Sequence, residues 1–327
     1  MEPQFKNDVE AIEAFVHKYA ELKTEIGKVI VGQDEVIKNI LMAMFSRSHA
    51  LLIGVPGLAK TLMITTIAKS INLTYNRIQF TPDLLPSDIT GISIYNQHEM
   101  KFEFRKGPIF ANIVLADEIN RTSPKTQSAL LEVMEEKQVS EGKNTYMLDE
   151  PFFVMATQNP IEYEGTFELP EAQLDRFMIK VKIGYPEKND EVAILETYKE
   201  TDPLLTLENV ADKNDILNLQ KNVRKVYASK EINNYIVNIT AATRNNKFIA
   251  LGASTRASLA LLRIAQSSAV INGRDYIIPE DVKENAVMVL SHRISISSAG
   301  RSNDCTSENI INSIIHSVPC PKVMENA

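Results

Sequence analysis

Between residues 50 and 183 the apolar positions arrive in short bursts. Five segments, at 50–53, 75–80, 113–116, 152–157 and 178–183, are mostly apolar and four to six residues long, which reads as buried strands. Between them the spacing lengthens to the helical period. One helix is expected from Lys60 through Ser70, and a second over 125–136 with Thr122, Ser123 and Pro124 as start signals. A short helix is expected over 170–176. Such alternation predicts an α/β fold, a parallel five-stranded sheet flanked by helices. Two stretches fall outside the scheme. Residues 92–105 place β-like residues around a polar turn, and 139–148 place polar residues at strand spacing around Gly142. Both predict hairpins or loops that project from the core.

After Pro186 the period changes for good. Residues 187–198, 212–227, 231–245, 255–271 and 280–290 carry apolar residues at helical spacing, and 309–317 ends the fold. The expected organisation is an α/β domain over 1–186, with an N-terminal helix, and a smaller all-helical domain over 187–327. No internal repeat or low-complexity tract interrupts it.

The chemistry concentrates where the first strand ends. In ALLIGVPGLAKT, residues 50–61, the strand runs into Gly54, Val55, Pro56 and Gly57, which turn the backbone, and Lys60 and Thr61 open the helix. A loop of this kind wraps backbone N–H groups around a polyphosphate at a helix N-terminus. The lysine reaches the β and γ oxygens, and the threonine hydroxyl ligates Mg²⁺. The candidate phosphate-binding residues are Gly54, Pro56, Gly57, Leu58, Ala59, Lys60, Thr61 and Leu62. One letter departs from the P-loop pattern G-x-x-x-x-G-K-[ST]: Ala59 stands where the second glycine is expected. Glycine is favoured there because backbone approaches ligand closely, and alanine is the smallest retreat from it, suited to a first helical turn.

A second signal is IVLADE at 113–118, an apolar strand that ends in two adjacent carboxylates. Strand alternation sends neighbouring side chains opposite ways, but at the C-terminal mouth of a parallel sheet both can reach a ligand crevice. Asp117 would then hold Mg²⁺, directly or through a water, and Glu118 would polarise the water that attacks the γ-phosphate.

Composition narrows the class. The chain has 327 residues, 44% hydrophobic and 24% charged, enough for about two domains. A formal net charge of −7 argues against a sequence-independent grip on DNA, while leaving room for a local basic pore. Cys305 and Cys320 lack metal-ligand spacing and suit a reducing compartment. The N-terminus is charged and amphipathic, without the apolar core of a signal peptide, and no apolar run approaches a membrane span. A cytoplasmic enzyme is expected.

The chain resembles an AAA+ ATPase, specifically the MoxR family. The matching text includes VIVGQDEVI (29–37), HALLIGVPGLAKT (49–61) and VLADEINRTSPKTQSALLEVMEEKQV (114–139). It continues with FFVMATQNPIEYEGTFELPEAQLDRFMIKV (152–181) and GASTRASLALLRIAQSSAVINGRDYIIPEDV (252–282). The alanine at 59 belongs to what this family carries.

The resemblance implies further roles. Val31, Gly32 and Gln33 would lie at the adenine; read alone, they are a tight turn before a helix. Asn159 matches the sensor 1 position, where a neutral amide holds the attacking water beside Glu118; read alone, Asn-Pro forms turns. Arg176 matches the arginine that reaches a neighbouring subunit's γ-phosphate, with Arg121 a competing candidate. Arg256 matches sensor 2, in the first turn of a helix capped by Ser254, and would tie nucleotide state to the angle between domains. The helical half would be the lid, and the segments 92–105 and 139–148 would face the axis of a ring.

The resemblance implies Mg-dependent ATP hydrolysis in a ring, a hexamer by family architecture, coupled to remodelling, activation or metal-centre maturation of a client protein. Family members often act with a von Willebrand factor A domain protein, which another chain would have to supply. Two other classes stay open: a nucleotide-gated scaffold with little turnover, and a chelatase-like or nucleic-acid motor subunit.

Overall fold

The computed structural model describes residues 8–55, 57–160, 167–199 and 202–321. The chain opens with α1 (Asp8–Gly27) and α2 (Asp34–Phe45), then β1 (Ala50–Ile53), α3 (Lys60–Ser70) and β2 (Tyr75–Gln79). The short α4 (Pro86–Thr90) leads into β3 (Gly91–Asn96) and β4 (Lys101–Lys106), followed by β5 (Ile113–Asp117) and α5 (Pro124–Glu136). β6 (Gln138–Glu141), β7 (Asn144–Met147), β8 (Phe153–Gln158), α6 (Glu171–Leu174) and β9 (Ile179–Lys182) complete the α/β half. Then come α7 (Lys188–Thr197), α8 (Lys213–Val223), α9 (Lys230–Arg244), β10 (Ile249–Leu251) and α10 (Thr255–Ile271). α11 (Pro279–Leu290), β11 (Ser295–Ile296), α12 (Ser298–Ser302) and α13 (Ser307–Ser317) end the fold.

The core sheet has five strands in the order β2-β5-β8-β1-β9, and every pairing in it is parallel. Both faces are covered, which is why its strands read as nearly continuous apolar runs. The period of two sorts them. Leu51, Val114, Ala116, Val154 and Ala156 face Leu130, Leu131 and Met134 of α5. Ala50, Leu52, Ile113, Leu115, Phe153 and Met155 face the other way, toward Met63 and Ile67 of α3 and Leu41 of α2. That second cluster runs on without a break into the helical half, through Leu22 and Ile26 of α1 to Ile216 of α8 and Leu261 and Ile264 of α10. Polar ties follow the same seam: Gln220 donates to the Met44 carbonyl at 2.8 Å.

The seam has a pin. Arg293, just past α11, is buried, and its guanidinium donates to Asp175 Oδ1 at 2.7 Å and to the carbonyls of Met178 at 2.8 Å and Phe177 at 2.6 Å. A buried guanidinium with this many acceptors fixes orientation, and removing one partner of such a pair costs about 3–5 kcal/mol.

Both projecting segments are antiparallel hairpins, β3–β4 and β6–β7. They lean on each other through Phe104 and Tyr146, stacked with ring centroids 4.2 Å apart. The base of the first hairpin closes so tightly that a Cβ on Gly91 (φ +105°) would lie 2.3 Å from the Arg105 carbonyl. The helical half also holds a small antiparallel ribbon, β10–β11, which helical periodicity does not foretell.

His49, just before β1, is buried. Its Nδ1 accepts the Val154 N–H at 3.0 Å, and Nε2 lies 3.2 Å from the Met134 carbonyl. These two bonds select the neutral tautomer with its proton on Nε2. Burial pushes its pKa down to about 4. Because the folded value lies below the unfolded one of about 6.5, this histidine's stabilisation is full above that pH and fades as pH falls toward 4. Urea unfolding at pH 7.5 and pH 5 should show a loss of about 2 kcal/mol from this group. His49→Gln, which keeps a donor and an acceptor but cannot titrate, should flatten the fall by that amount. An equal fall in wild type and variant would exclude the assignment.

Candidate active site

The predicted phosphate loop lies between the C-terminal end of β1 and α3. Gly54 is buried, and Gly57 sits exposed with φ +85°. Leu58 anchors the loop against the core, as does the half-buried Leu62 one turn later. Pro56 lies outside the described residues. Lys60 is buried and donates from Nζ to the Gly54 carbonyl at 2.8 Å, so its ammonium lies within the loop's own concavity. Thr61 is exposed on the first turn of α3.

Ala59 departs from the expectation of a first-turn alanine. It stands outside the helix, as its N-cap, with φ +54° and ψ +21°. A left-handed backbone costs a residue with a Cβ roughly 1–2 kcal/mol, so glycine is favoured here for conformation as well as for closeness to a ligand. The helix it precedes has no side-chain cap and no acid in its first turn. The first turn of a helix carries N–H groups without intrahelical partners and a partial positive charge, the arrangement an anion completes.

Two strands away, β5 delivers the carboxylates into one hydrogen-bonded network. Asp117 is buried; Arg77 donates to its Oδ2 at 3.2 and 2.6 Å, and the Thr157 hydroxyl donates to its Oδ1 at 2.6 Å. Glu118 adopts φ +59° and ψ +49°, which breaks the strand's alternation and brings the second carboxylate round to the same mouth. Its N–H donates to Thr157 Oγ1 at 2.8 Å. Its Oε2 accepts from Gln79 at 2.8 Å and from Arg121 at 2.9 Å. A left-handed glutamate, held by a buried threonine, is the kind of local strain that persists where the surroundings over-determine it.

Asn159 is buried one residue past β8, the strand between β1 and β5. The Gly54 N–H donates to the Gln158 carbonyl at 3.3 Å, so Asn159 lies at the crevice between the phosphate loop and the carboxylates. Val31, Gly32 and Gln33 flank the same end of the sheet. Gln33 donates to the Gly184 carbonyl at 3.2 Å, and Gly32 (φ +74°) packs so closely on Asp190 that a Cβ there would lie 2.5 Å from its carboxylate.

The arginines divide. Arg121 belongs to the mouth, paired with Glu118. Arg176 lies at the opposite end of the sheet: Met178, two residues on, donates to the carbonyl of His49 at the start of β1. The length of that four-residue strand, about 13 Å, separates it from Lys60. Arg176 donates to the Leu131 carbonyl at 2.6 Å and pairs with Glu135 at 3.1 Å, while its neighbour Asp175 is taken by Arg293. Arg256, capped by Ser254 as expected, differs in place from what a link to its own chain's nucleotide would need. It pairs with Glu135 at 2.8 Å, beside Arg176 and far from Lys60.

Four network residues escape sequence reasoning. Arg77 and Gln79 occupy alternate positions of β2, and two polar residues on one face of a core strand are the signal that could have flagged them. Thr157 gives none, because threonine suits any strand. Glu135 gives none either, being one of several acids on α5.

Comparisons with known proteins bear on the family and the fold. A profile of the ATPase family associated with various cellular activities (AAA) matches residues 49–179, and one of the AAA lid domain matches 241–314. Chaperone MoxR1 of Mycobacterium tuberculosis is 42% identical over 96% of this chain and 85% of its own length. The uncharacterized protein YeaC of Bacillus subtilis is 49% identical over 90% of this chain and 92% of its own length. Protein MoxR of Methylorubrum extorquens is 28% identical over 84% and 87%. A crystal structure of a presumed ATPase from Cytophaga hutchinsonii superposes with a TM-score of 0.89 at 44% identity, covering 96% of this chain and 98% of that one. With a five-stranded parallel sheet, a helical lid and relatives matched over nearly their whole length, the chain belongs to the MoxR family of AAA+ ATPases.

Proposed function

We propose that this chain hydrolyses Mg-ATP as one subunit of a ring, and that it spends the cycle on chaperone-like remodelling or maturation of a client protein. The observation that carries the reading is the split of the site between the two ends of one sheet. The phosphate loop, Asp117, Glu118 and Asn159 sit at one end, and Arg176 and Arg256 at the other.

The residues at the mouth fit a magnesium nucleotide. The uncapped first turn of α3, the Lys60 ammonium and the concave loop suit a polyphosphate, and Thr61 with Asp117 offers the hard oxygen donors Mg²⁺ takes. Bound Mg²⁺ would neutralise charge on the phosphate oxygens. Asp117 is oriented for it by hydrogen bonds from Arg77 and Thr157. Glu118 accepts its two hydrogen bonds on Oε2, so Oε1 is the oxygen that takes the attacking water's proton. Asn159 holds that water with a neutral amide. Val31, Gly32 and Gln33, against Gly184 and Asp190, form the adenine side.

Arg176 and Arg256 cannot serve this chain's own nucleotide, so they serve the neighbour's, where planar guanidiniums stabilise charge on the transferring phosphoryl group. Residues 1–186 form the nucleotide-binding domain and 187–327 the lid. Among the described residues no helix is long and apolar enough to cross a membrane, in keeping with a cytoplasmic machine. The name of the mycobacterial relative supports the chaperone-like role, and a von Willebrand factor A domain protein is the partner class to seek.

Steady-state ATPase activity measured against protein concentration tests this reading. Specific activity should climb with concentration and vanish on chelation of Mg²⁺. Glu118→Gln should lose about 10²–10⁴-fold and Arg176→Ala about 10³-fold or more, both while still binding ATP. Activity independent of concentration, or Arg176→Ala at wild-type rate, would refute the shared site. ATP binding with no turnover at any concentration would favour the nucleotide-gated scaffold.

A further inference from the structure

Glu135, in the last turn of α5, stands between the two arginines. Its Oε2 lies 3.1 Å from Arg176 Nη2, and its Oε1 lies 2.8 Å from Arg256 Nη2. One carboxylate thus converges a guanidinium from the α/β half and a guanidinium from the lid on a single point. The surrounding cavity, about 380 Å³, also has Arg224 and Arg263 in its wall, together with Arg47 and Lys137, which pair with Glu150. Arg224 and Arg263 press like charges together there. The other acid in the wall, Asp175, is committed to Arg293 and Ser254.

Two ties between lid and core therefore lie side by side, and they differ in kind. Arg293 is buried, with its side chain 3% exposed, and is bound by a carboxylate and several carbonyls. The Glu135 clasp is open to solvent: Glu135 is 38% exposed and Arg256 60%. Exposed pairs of this sort add little stability, so the clasp can be exchanged cheaply while the pin holds.

We infer that Glu135 is a positioning residue which, in the unassembled subunit, occupies the place taken in the ring by the neighbouring copy's terminal phosphate. On assembly it gives up both guanidiniums. A phosphoryl group offers three acceptor oxygens and more charge than a carboxylate, and so satisfies two planar forks better. Exchange has a second effect. Losing the Glu135–Arg256 link frees the first turn of α10 from α5 and leaves Ser254–Asp175 and the Arg293 pin to hold it there, so a nucleotide bound in one subunit is felt at the lid of the next. The inference rests on the reading of Arg176 and Arg256 as acting across subunits.

Sedimentation velocity with Mg²⁺ and the β,γ-imido analogue of ATP tests it, comparing wild type, Glu135→Gln and Glu135→Ala. Each is also placed in an Arg176→Ala/Arg256→Ala background. Removing the competing carboxylate should lower the protein concentration for half-assembly about 3- to 10-fold with nucleotide present, and change it less than about twofold without. In the arginine-free background the shift should vanish. A midpoint that stays or rises in Glu135→Gln, or a shift that survives without the arginines, overturns the role of Glu135 alone. Wild type that never associates with nucleotide overturns the shared-site reading and this inference together. Thermal melts of both variants separate misfolding from either result.

Discussion

Parallel strands give a sheet two unlike ends, and in this molecule that polarity governs the rest. All C-terminal ends of β2, β5, β8, β1 and β9 open at one rim, so the phosphate loop, the paired carboxylates and Asn159 collect there. All N-terminal ends open at the other, where the segment leading into β9 presents Arg176 and the start of α10 presents Arg256. No rotamer spans the thickness of the sheet. On the function proposed above, the two halves of a phosphoryl-transfer site lie at opposite rims and unite when another copy meets this one head to tail, a contact that gives a ring where its rotation closes.

At each rim, polar order is made by tertiary contacts rather than by the motif itself. Asp117 and Glu118 are adjacent in sequence, yet they serve one mouth only because Glu118 turns left-handed and Thr157 braces both, bonding to the carboxylate of one and the amide of the other. Arg77 and Gln79 on β2 extend the brace sideways. At the far rim Arg293 performs the equivalent service, pinning the lid to the strand that brings Arg176. Buried, well-satisfied networks hold the frame, and exposed pairs sit where something must change.

What the sequence disclosed follows from the range over which each signal acts. Strands whose two faces are both buried announce themselves as apolar runs, and β1 and α3 fall on the residues expected, with the other core strands displaced by one residue at most. Both projecting segments were legible as hairpins or loops about a turn, and both are hairpins. The two- and three-residue strands of the β10–β11 ribbon are too short to show a period. The position of Arg256 was illegible for another reason: it depends on which rim the lid packs against, a matter of α1, α2, α8 and α10 sharing one apolar cluster. Ala59 lies between these cases. Its departure from glycine was plain, but the left-handed backbone that gives the departure its cost belongs to the folded loop.

Mixing two disabled chains addresses the central claim most directly. Lys60→Ala keeps Arg176 and Arg256 but loses the lysine of the phosphate loop, and Arg176→Ala keeps the loop but lacks the arginine. Each alone should hydrolyse ATP near background. Mixed in equal amounts, they should regain activity as complementary rims meet, at roughly a quarter of the interfaces if subunits assort at random. Recovery on mixing would place one chain's Arg176 on another chain's nucleotide. A mixture that co-assembles yet stays at background would mean that the two rims of the sheet never form one site.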